Sequence, residues 1–419
     1  MVLLSLAAAV SLARALGPAG RGQLAVLQSL AGLAAVLTNF AVAKAIVHRV
    51  GRRQLTLASA ASDAFVLAAM SGLAGAALVL PLAILFRGRL VPGLAIALVA
   101  AAVGVATIQQ VREYLSGVLL AVGQSLTYVM ASAVQPLVVL VLVSLLMVLR
   151  RASVGSVTVV WIAAVVASTG VAMSMAVRAA GGLGPILWRD VRALGAFGLR
   201  TYPAILALFL NLRFDQLLVR GLSSSWVLGQ YAVAVAVGEV LIILPSSMLS
   251  AVSGAIGARE RHQSAELVAG FSRSLTVVVA TCAVGIAVVA PIALPLVFGA
   301  GFRPAAPAVI ALLPGLVCYA PSATIVEYFI VQRGKASAAA IIAGASFATS
   351  TVMNLWLVPR LGAVGASVAS SVSYGVMLIV AARLFRADTG MQVGSALRPT
   401  MRDVSAVRDA VLSVARARG

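Results

Sequence analysis

Acidic residues, sulfur and imidazole are scarce in this chain of 419 residues: Asp and Glu number 11, Cys and His two each, and charged residues together reach only 10%. With so few acids, no paired carboxylates stand ready for hydrolytic work. His48 and His262 lack any metal-ligand spacing, and no Gly-rich phosphate loop of the nucleotide-binding kind occurs. The sequence therefore predicts no enzyme, no metal and no resident cofactor. Cys282 and Cys318 lie inside separate apolar runs and read as packing residues. Polar stretches are missing too: no segment of about 100 residues has an ordinary polar surface, which excludes a soluble globular domain. Lys and Arg number 31, for a net charge of +20, but they are scattered between apolar runs. That distribution argues against nucleic-acid binding.

What is abundant is hydrophobic sequence, 62% of the chain, with a mean hydropathy of +1.09. A hydrocarbon core about 30 Å thick takes roughly 20 helical residues to cross, and runs of that size recur throughout. They are too long and too continuously apolar for barrel strands. The expected class is an all-α polytopic membrane protein with twelve spans, at 2–16, 23–47, 58–86, 91–111, 127–149 and 154–177, then 201–221, 227–253, 268–297, 306–332, 336–357 and 363–384. The first opens at Met1 with no charged n-region, unlike a cleavable signal peptide, so either an upstream start or a tilted, thinned first helix is expected.

Lys and Arg in short loops favour the cytoplasmic side. With both termini inside, the inner loops hold Lys44, Arg49, Arg52, Arg53, Arg178, Arg189, Arg192, Arg200, Arg259, Arg261, Arg273, Arg333 and Lys335, and the outer loops hold fewer. This predicts a plasma (inner) membrane protein with both termini cytoplasmic. The least hydrophobic interior segment, 178–200, reads as a cytoplasmic linker between a lobe at 1–177 and a lobe at 201–386, each with six helices. Gly22-Gln23-Leu24-Ala25-Val26 opens the second span and Gly229-Gln230-Tyr231-Ala232-Val233 the eighth, 207 residues on. That placement suggests an internal duplication. Residues 387–419 form a basic tail in which Val404, Val407, Val411 and Val414 recur at helical spacing. It reads either as an amphipathic helix on anionic membrane lipid or as a disordered tail that enforces topology.

An ionisable side chain in hydrocarbon costs several kcal/mol unless it faces protein or water, so each one is a site candidate. Arg213 and Asp215 lie two positions apart in the seventh span, about 200° around a helix, and cannot share a face. Glu239 falls near the middle of the eighth. These groups either line a polar cavity, where they bind a charged headgroup or a coupling cation, or join helices. Lys44 and Arg112 in the first half contact substrate or snorkel to the interface. Asp63 and Glu327, near span ends, are expected in structural ion pairs.

Arg14-Ala15-Leu16-Gly17-Pro18 with Gly22-Gln23-Leu24-Ala25-Val26 resembles the first hairpin of polysaccharide and lipid-linked oligosaccharide flippases of the multidrug/oligosaccharidyl-lipid/polysaccharide (MOP) exporter superfamily. Asn211-Leu212-Arg213-Phe214-Asp215-Gln216-Leu217-Leu218, then Gly229-Gln230-Tyr231-Ala232-Val233-Ala234, is similar to spans seven and eight of those proteins. The resemblance implies movement of a polyprenyl-pyrophosphate-linked glycan from the inner to the outer leaflet, alongside a polysaccharide polymerase or glycosyltransferase. Arg213, Lys44 and Arg112 would attract the pyrophosphate, and Asp215 and Glu239 would organise them or accept H+ or Na+ as coupling ion. A cation-coupled multidrug or metabolite exporter and a non-transporting membrane scaffold are the alternatives.

Overall fold

Long apolar runs can satisfy their backbone in hydrocarbon only by closing on themselves as helices. The computed structural model is accordingly helical, with no strand among the described residues. It describes residues 2–258 and 260–392, without the side chains of 2, 125, 197–201, 203–205, 208, 209, 211, 212, 244–247, 250–255, 257 and 258. The amphipathic tail helix expected beyond 393 lies outside the described residues.

The helices are α1 (Val2–Leu37), α2 (Val42–Gly51), α3 (Leu57–Leu85), the single turn α4 (Arg87–Leu90), α5 (Ile96–Ala121), α6 (Ser125–Val148) and α7 (Val154–Ala180). They continue with α8 (Trp188–Leu222), α9 (Ser225–Ala258), α10 (Arg261–Phe298), α11 (Ala305–Glu327), which runs into a π-helical turn over Tyr328–Gln332, and α12 (Ala336–Thr389). Nine of these, counted among the described residues, are long and apolar enough to cross a membrane.

Two of them are bent by glycine. At its 54 residues α12 would extend about 80 Å if straight, far more than a bilayer core. It turns at Gly362 (φ 55°, ψ −129°), a left-handed conformation that a side chain would strain. Ser346 Oγ consequently donates to Ser373 O at 3.0 Å, although 27 residues of straight helix would hold them about 40 Å apart. In α1 the break is at Gly17 (φ 63°, ψ −179°), and Pro18 then opens the next segment, where its missing N–H costs nothing. Leu12 and Leu24, from the two sides of that break, share one buried cluster with Val139, Val143 and Val157 of α6 and α7.

The chain divides into two compact units, Met1–Ala232 and Val233–Gly419. In the first, Ile46, Ala60, Ala64, Tyr114, Leu115, Val118 and Leu194 form a core joining α2, α3, α5 and α8. Lipid offers little hydrophobic drive between helices, so close approach through small residues carries much of the packing. A Cβ on Gly72 would stand 2.4 Å from Thr107 Cα, and one on Gly117 2.7 Å from Ala43 O. In the second unit Gly315 of α11 meets Ser371 of α12 in the same way, and Ser371 Oγ donates to Ala311 O at 2.6 Å. Leu73 and Leu78 on α3, Val141 on α6 and Ile292 and Leu296 on α10 remain exposed, as lipid-facing flanks should.

The paired sequence motifs meet inside the first unit. A Cβ on Gly22 would lie 1.8 Å from Ser225 O, and a Cβ on Gly229 would lie 1.8 Å from Pro18 O. Each glycine rests on the carbonyl of the residue four positions before the other. Applying the offset of 207 to Pro18 and Gly22 gives Ser225 and Gly229, so the crossing is reciprocal, with the geometry of a local two-fold axis.

Candidate functional site

The apolar run that begins after Gly17 does not stay helical. Thr38 and Asn39 put two polar side chains in mid-run, and the chain leaves the helix there before resuming as α2. Phe40 (φ 46°) and Ala41 (φ 51°) are both left-handed without being glycine, a strained pair that surrounding contacts must hold. Asn39 Oδ1 accepts from Ala41 N at 3.1 Å. The Tyr114 hydroxyl, from α5, donates to Asn39 O at 2.6 Å and lies 3.3 Å from Thr38 O. Gln110 Nε2 donates to Thr38 Oγ1 at 2.8 Å and to Ala35 O at 3.0 Å, and Ser71 Oγ donates to Gln110 Oε1 at 3.2 Å. From α8, Tyr202 donates to Val36 O at 2.7 Å while its ring rests on Phe40 with centroids 5.2 Å apart. The carbonyls released by the break thus find donors on α5 and α8, as a non-helical backbone at membrane depth requires.

Charged groups gather beside this break. Arg112 lies about 24 Å along α5 from its start. It donates through Nη1 to Gln135 Oε1 of α6 at 2.6 Å and to Ser168 Oγ of α7 at 3.3 Å. Its neighbour Glu113 lies within electrostatic reach of both Arg112 and Lys44, the latter one turn past the break on α2. Lys44 and Glu113 are exposed and Arg112 is half-buried. Two cations face one carboxylate, which leaves about one positive charge in excess. Lys44 and Arg112, 68 positions apart in sequence, are thus both within electrostatic reach of the same carboxylate. The uncharged groups of this region, Gln135 and Ser168, which hold Arg112, and Tyr114, which holds the break, are ones the sequence reading passed over. Their only sequence signal is polarity inside an apolar run.

Arg213 and Asp215 do point apart: Arg213 is exposed, while Asp215 is 6% exposed. Asp215 accepts from the Tyr231 hydroxyl and, at 2.7 Å, from Gln216 N; Gln216 Oε1 in turn accepts from Ser29 Oγ of α1 at 3.1 Å. This node ties α8 and α9 to α1 within the first unit. Glu239 is half-buried on α9 and belongs to the second unit.

The ion pair expected for Asp63 is not there. Both of its carboxylate oxygens are buried without a hydrogen-bond partner, and no cation lies within 4 Å among the described residues. Arg49 instead pairs with Asp190 at the head of α8, at 3.2 Å. Ser62 Oγ donates to Gly184 O at 2.8 Å and Gly184 N to Ala58 O at 2.9 Å, so the segment between α7 and α8 is laid against the first turns of α3. Arg333 and Lys335, which follow Glu327, both bond Asp388.

A multi-pass helical membrane protein with bent and broken spans is the class this architecture defines, and solved structures share it. An inward-facing multidrug resistance MATE family transporter of the MOP superfamily aligns with a TM-score of 0.69 over 94% of this chain and 96% of its own, at 15% identity. An outward-facing transporter of the same description aligns with a TM-score of 0.63 over 93% and 91%, at 18% identity. The lipid II flippase MurJ, in an inward closed conformation, gives 0.61 over 99% and 93%, at 10% identity. At these identities the likeness is one of fold, that of MOP superfamily transporters. The chain itself belongs to the polysaccharide biosynthesis protein family, whose sequence profile matches residues 11–307. No curated protein matches the sequence.

Proposed function

We propose that this protein is a flippase that carries a polyprenyl-pyrophosphate-linked oligosaccharide from the inner to the outer leaflet of the plasma membrane during cell-surface polysaccharide synthesis. The observation that carries the reading is that Lys44 and Arg112 both lie within electrostatic reach of Glu113, beside a broken span, in a chain of the polysaccharide biosynthesis family. A pyrophosphate diester has two negative charges that must be shielded across about 30 Å of hydrocarbon while its lipid tail stays in the bilayer. An excess of positive charge at membrane depth, with Arg112 held by the neutral acceptors Gln135 and Ser168, suits that task. Arg213 is the third candidate for the pyrophosphate. Asp215 and Glu239 are assigned to organising the basic groups or to taking up H+ or Na+ as the coupling ion.

In this reading α1 and α12 each cross twice, α2 completes the second crossing, and α8 crosses once, which gives twelve crossings in two lobes of six with the segment 178–200 between them. Both termini are cytoplasmic, and a polysaccharide polymerase or glycosyltransferase supplies or consumes the cargo. The reciprocal contact of Gly22 and Gly229 supports two related halves.

The test is reconstitution in liposomes with a fluorescent polyprenyl-pyrophosphate glycan and a leaflet-accessibility readout. Lys44→Ala, Arg112→Ala and Arg213→Ala should each slow exchange at least tenfold while inserting normally, with Lys44→Arg largely active. Full exchange in all three alanine variants would refute the site. Movement of an organic cation with no movement of the glycan would establish the multidrug reading, which the shared fold equally accommodates.

A further inference from the structure

Three cations converge on one carboxylate where the second unit's helices end. Asp388, in the last turn of α12, is bonded by Arg333 Nε and Lys335 Nζ, each at 3.0 Å, and by the Tyr328 hydroxyl at 2.9 Å, with Arg261 Nη2 at 3.5 Å. Arg261 opens α10, Tyr328 opens the π-helical turn after α11 and Arg333 closes it, and Lys335 caps the start of α12. The Asp388 side chain is only 7% exposed, but those of Arg261 and Lys335 are 51% and 49% exposed.

A carboxylate offers about four lone-pair sites, and four donor groups already occupy these. The cations are far from saturated. An arginine has five N–H groups and a lysine three, and each spends only one or two on Asp388. Within the cluster itself, three cations against one carboxylate leave about two positive charges in excess. Of the other acids at the start of α10, Glu266 lies 3.6 Å from His262 and Glu260 is exposed just ahead of Arg261; neither bonds the three cations among the described contacts. Arg386 adds a further positive charge in the same last turn of α12. On the same segments, Val331, two residues before Arg333, and Ile341, six residues after Lys335, are 38% and 57% exposed, so apolar side chains stand on the elements that carry the charge.

We propose that Arg261, Arg333 and Lys335 form a binding site for the phosphodiester of an anionic lipid headgroup, with Asp388 holding the three cations in place. Excess positive charge at helix ends, beside exposed aliphatic side chains, matches a phosphate at the membrane surface whose acyl chains continue along the helices. Phosphate oxygens would take the unused N–H groups of Arg333 and Lys335, and Arg261 would close over them. The bound lipid would tie together the starts of α10 and α12 and the ends of α11 and α12. The inference is independent of what cargo the protein moves.

The experiment uses the full-length protein in phosphatidylcholine nanodiscs, with binding of short-chain phosphatidylglycerol read by native mass spectrometry. Saturable binding is expected in the wild type and at least tenfold weaker binding in R261Q/K335Q. R87Q/R89Q, which removes two cations from α4 in the other unit, should bind as wild type does. The single variants R261Q and K335Q should each show part of the loss, which keeps the result readable if the double variant does not assemble. Undiminished binding in R261Q, K335Q and their double variant would overturn the proposal. So would an equal loss in R87Q/R89Q, which would signal a general charge effect. Competition by millimolar inorganic phosphate as effective as by the lipid would assign the site to a soluble anion instead.

Discussion

Replacing Gly22 with alanine tests the reciprocal crossing most directly. The new Cβ would lie 1.8 Å from Ser225 O and 2.7 Å from Ser225 C, both backbone atoms that no rotamer change can move. Real contacts of this kind do not fall below 3.0 Å, so the helices must separate by about 1 Å at the point where both motifs meet. Overpacking of this sort costs about 1–3 kcal/mol. Against it stands the helix preference of alanine over glycine, worth about 1 kcal/mol. Gly104, exposed on α5 with nothing within 4 Å of a Cβ, isolates that second term. Gly104→Ala should be neutral or stabilising, whereas Gly22→Ala and Gly229→Ala should each destabilise. Because the two glycines share one crossing, the first substitution already opens the space that the second needs. The double variant should therefore lose at least 0.5 kcal/mol less than the summed single losses, by the usual size of coupling between residues in contact. SDS titration of the detergent-solubilised protein, followed by circular dichroism, measures all four variants on one scale. A Gly22→Ala protein as stable as Gly104→Ala, or strict additivity in the double variant, would refute the reciprocal contact.

Tyr114 holds the carbonyls at the break between α1 and α2, so Tyr114→Phe removes a buried donor and leaves Asn39 O without it. A cost of about 1–3 kcal/mol is expected by the same titration, with faster amide exchange confined to 38–45; unchanged exchange there would show that the break is held by other means. Deleting 393–419 should leave glycan movement in liposomes within about twofold of wild type, because the proposed cargo site lies wholly within the helices; abolished activity with intact insertion would favour the scaffold reading instead.

The sequence by itself determined the class of this protein. Apolar runs of twenty or more residues have one backbone solution in hydrocarbon, and the helices lie where those runs lie. The bends at Gly17 and Gly362 were also within its reach, since glycine next to Pro18, and glycine three residues after Pro359, interrupt otherwise helical runs. It identified Lys44 and Arg112 as costly charges, because an ionisable group at membrane depth stands out against its surroundings whatever the fold. Only the tertiary structure decided what those charges face. Asp63 has no ion pair among the described residues, whereas Arg49 bonds Asp190, a residue 127 positions beyond Asp63 that comes near only when α8 packs on α2 and α3. Arg333 and Lys335 meet Asp388 because Gly362 folds α12 back on itself, and the break at Thr38–Ala41 depends on hydroxyl and amide donors brought in by α5 and α8. Local pattern fixes a helix through interactions four residues apart, but a side chain's partner across helices depends on crossing and register, which the pattern of one run does not contain.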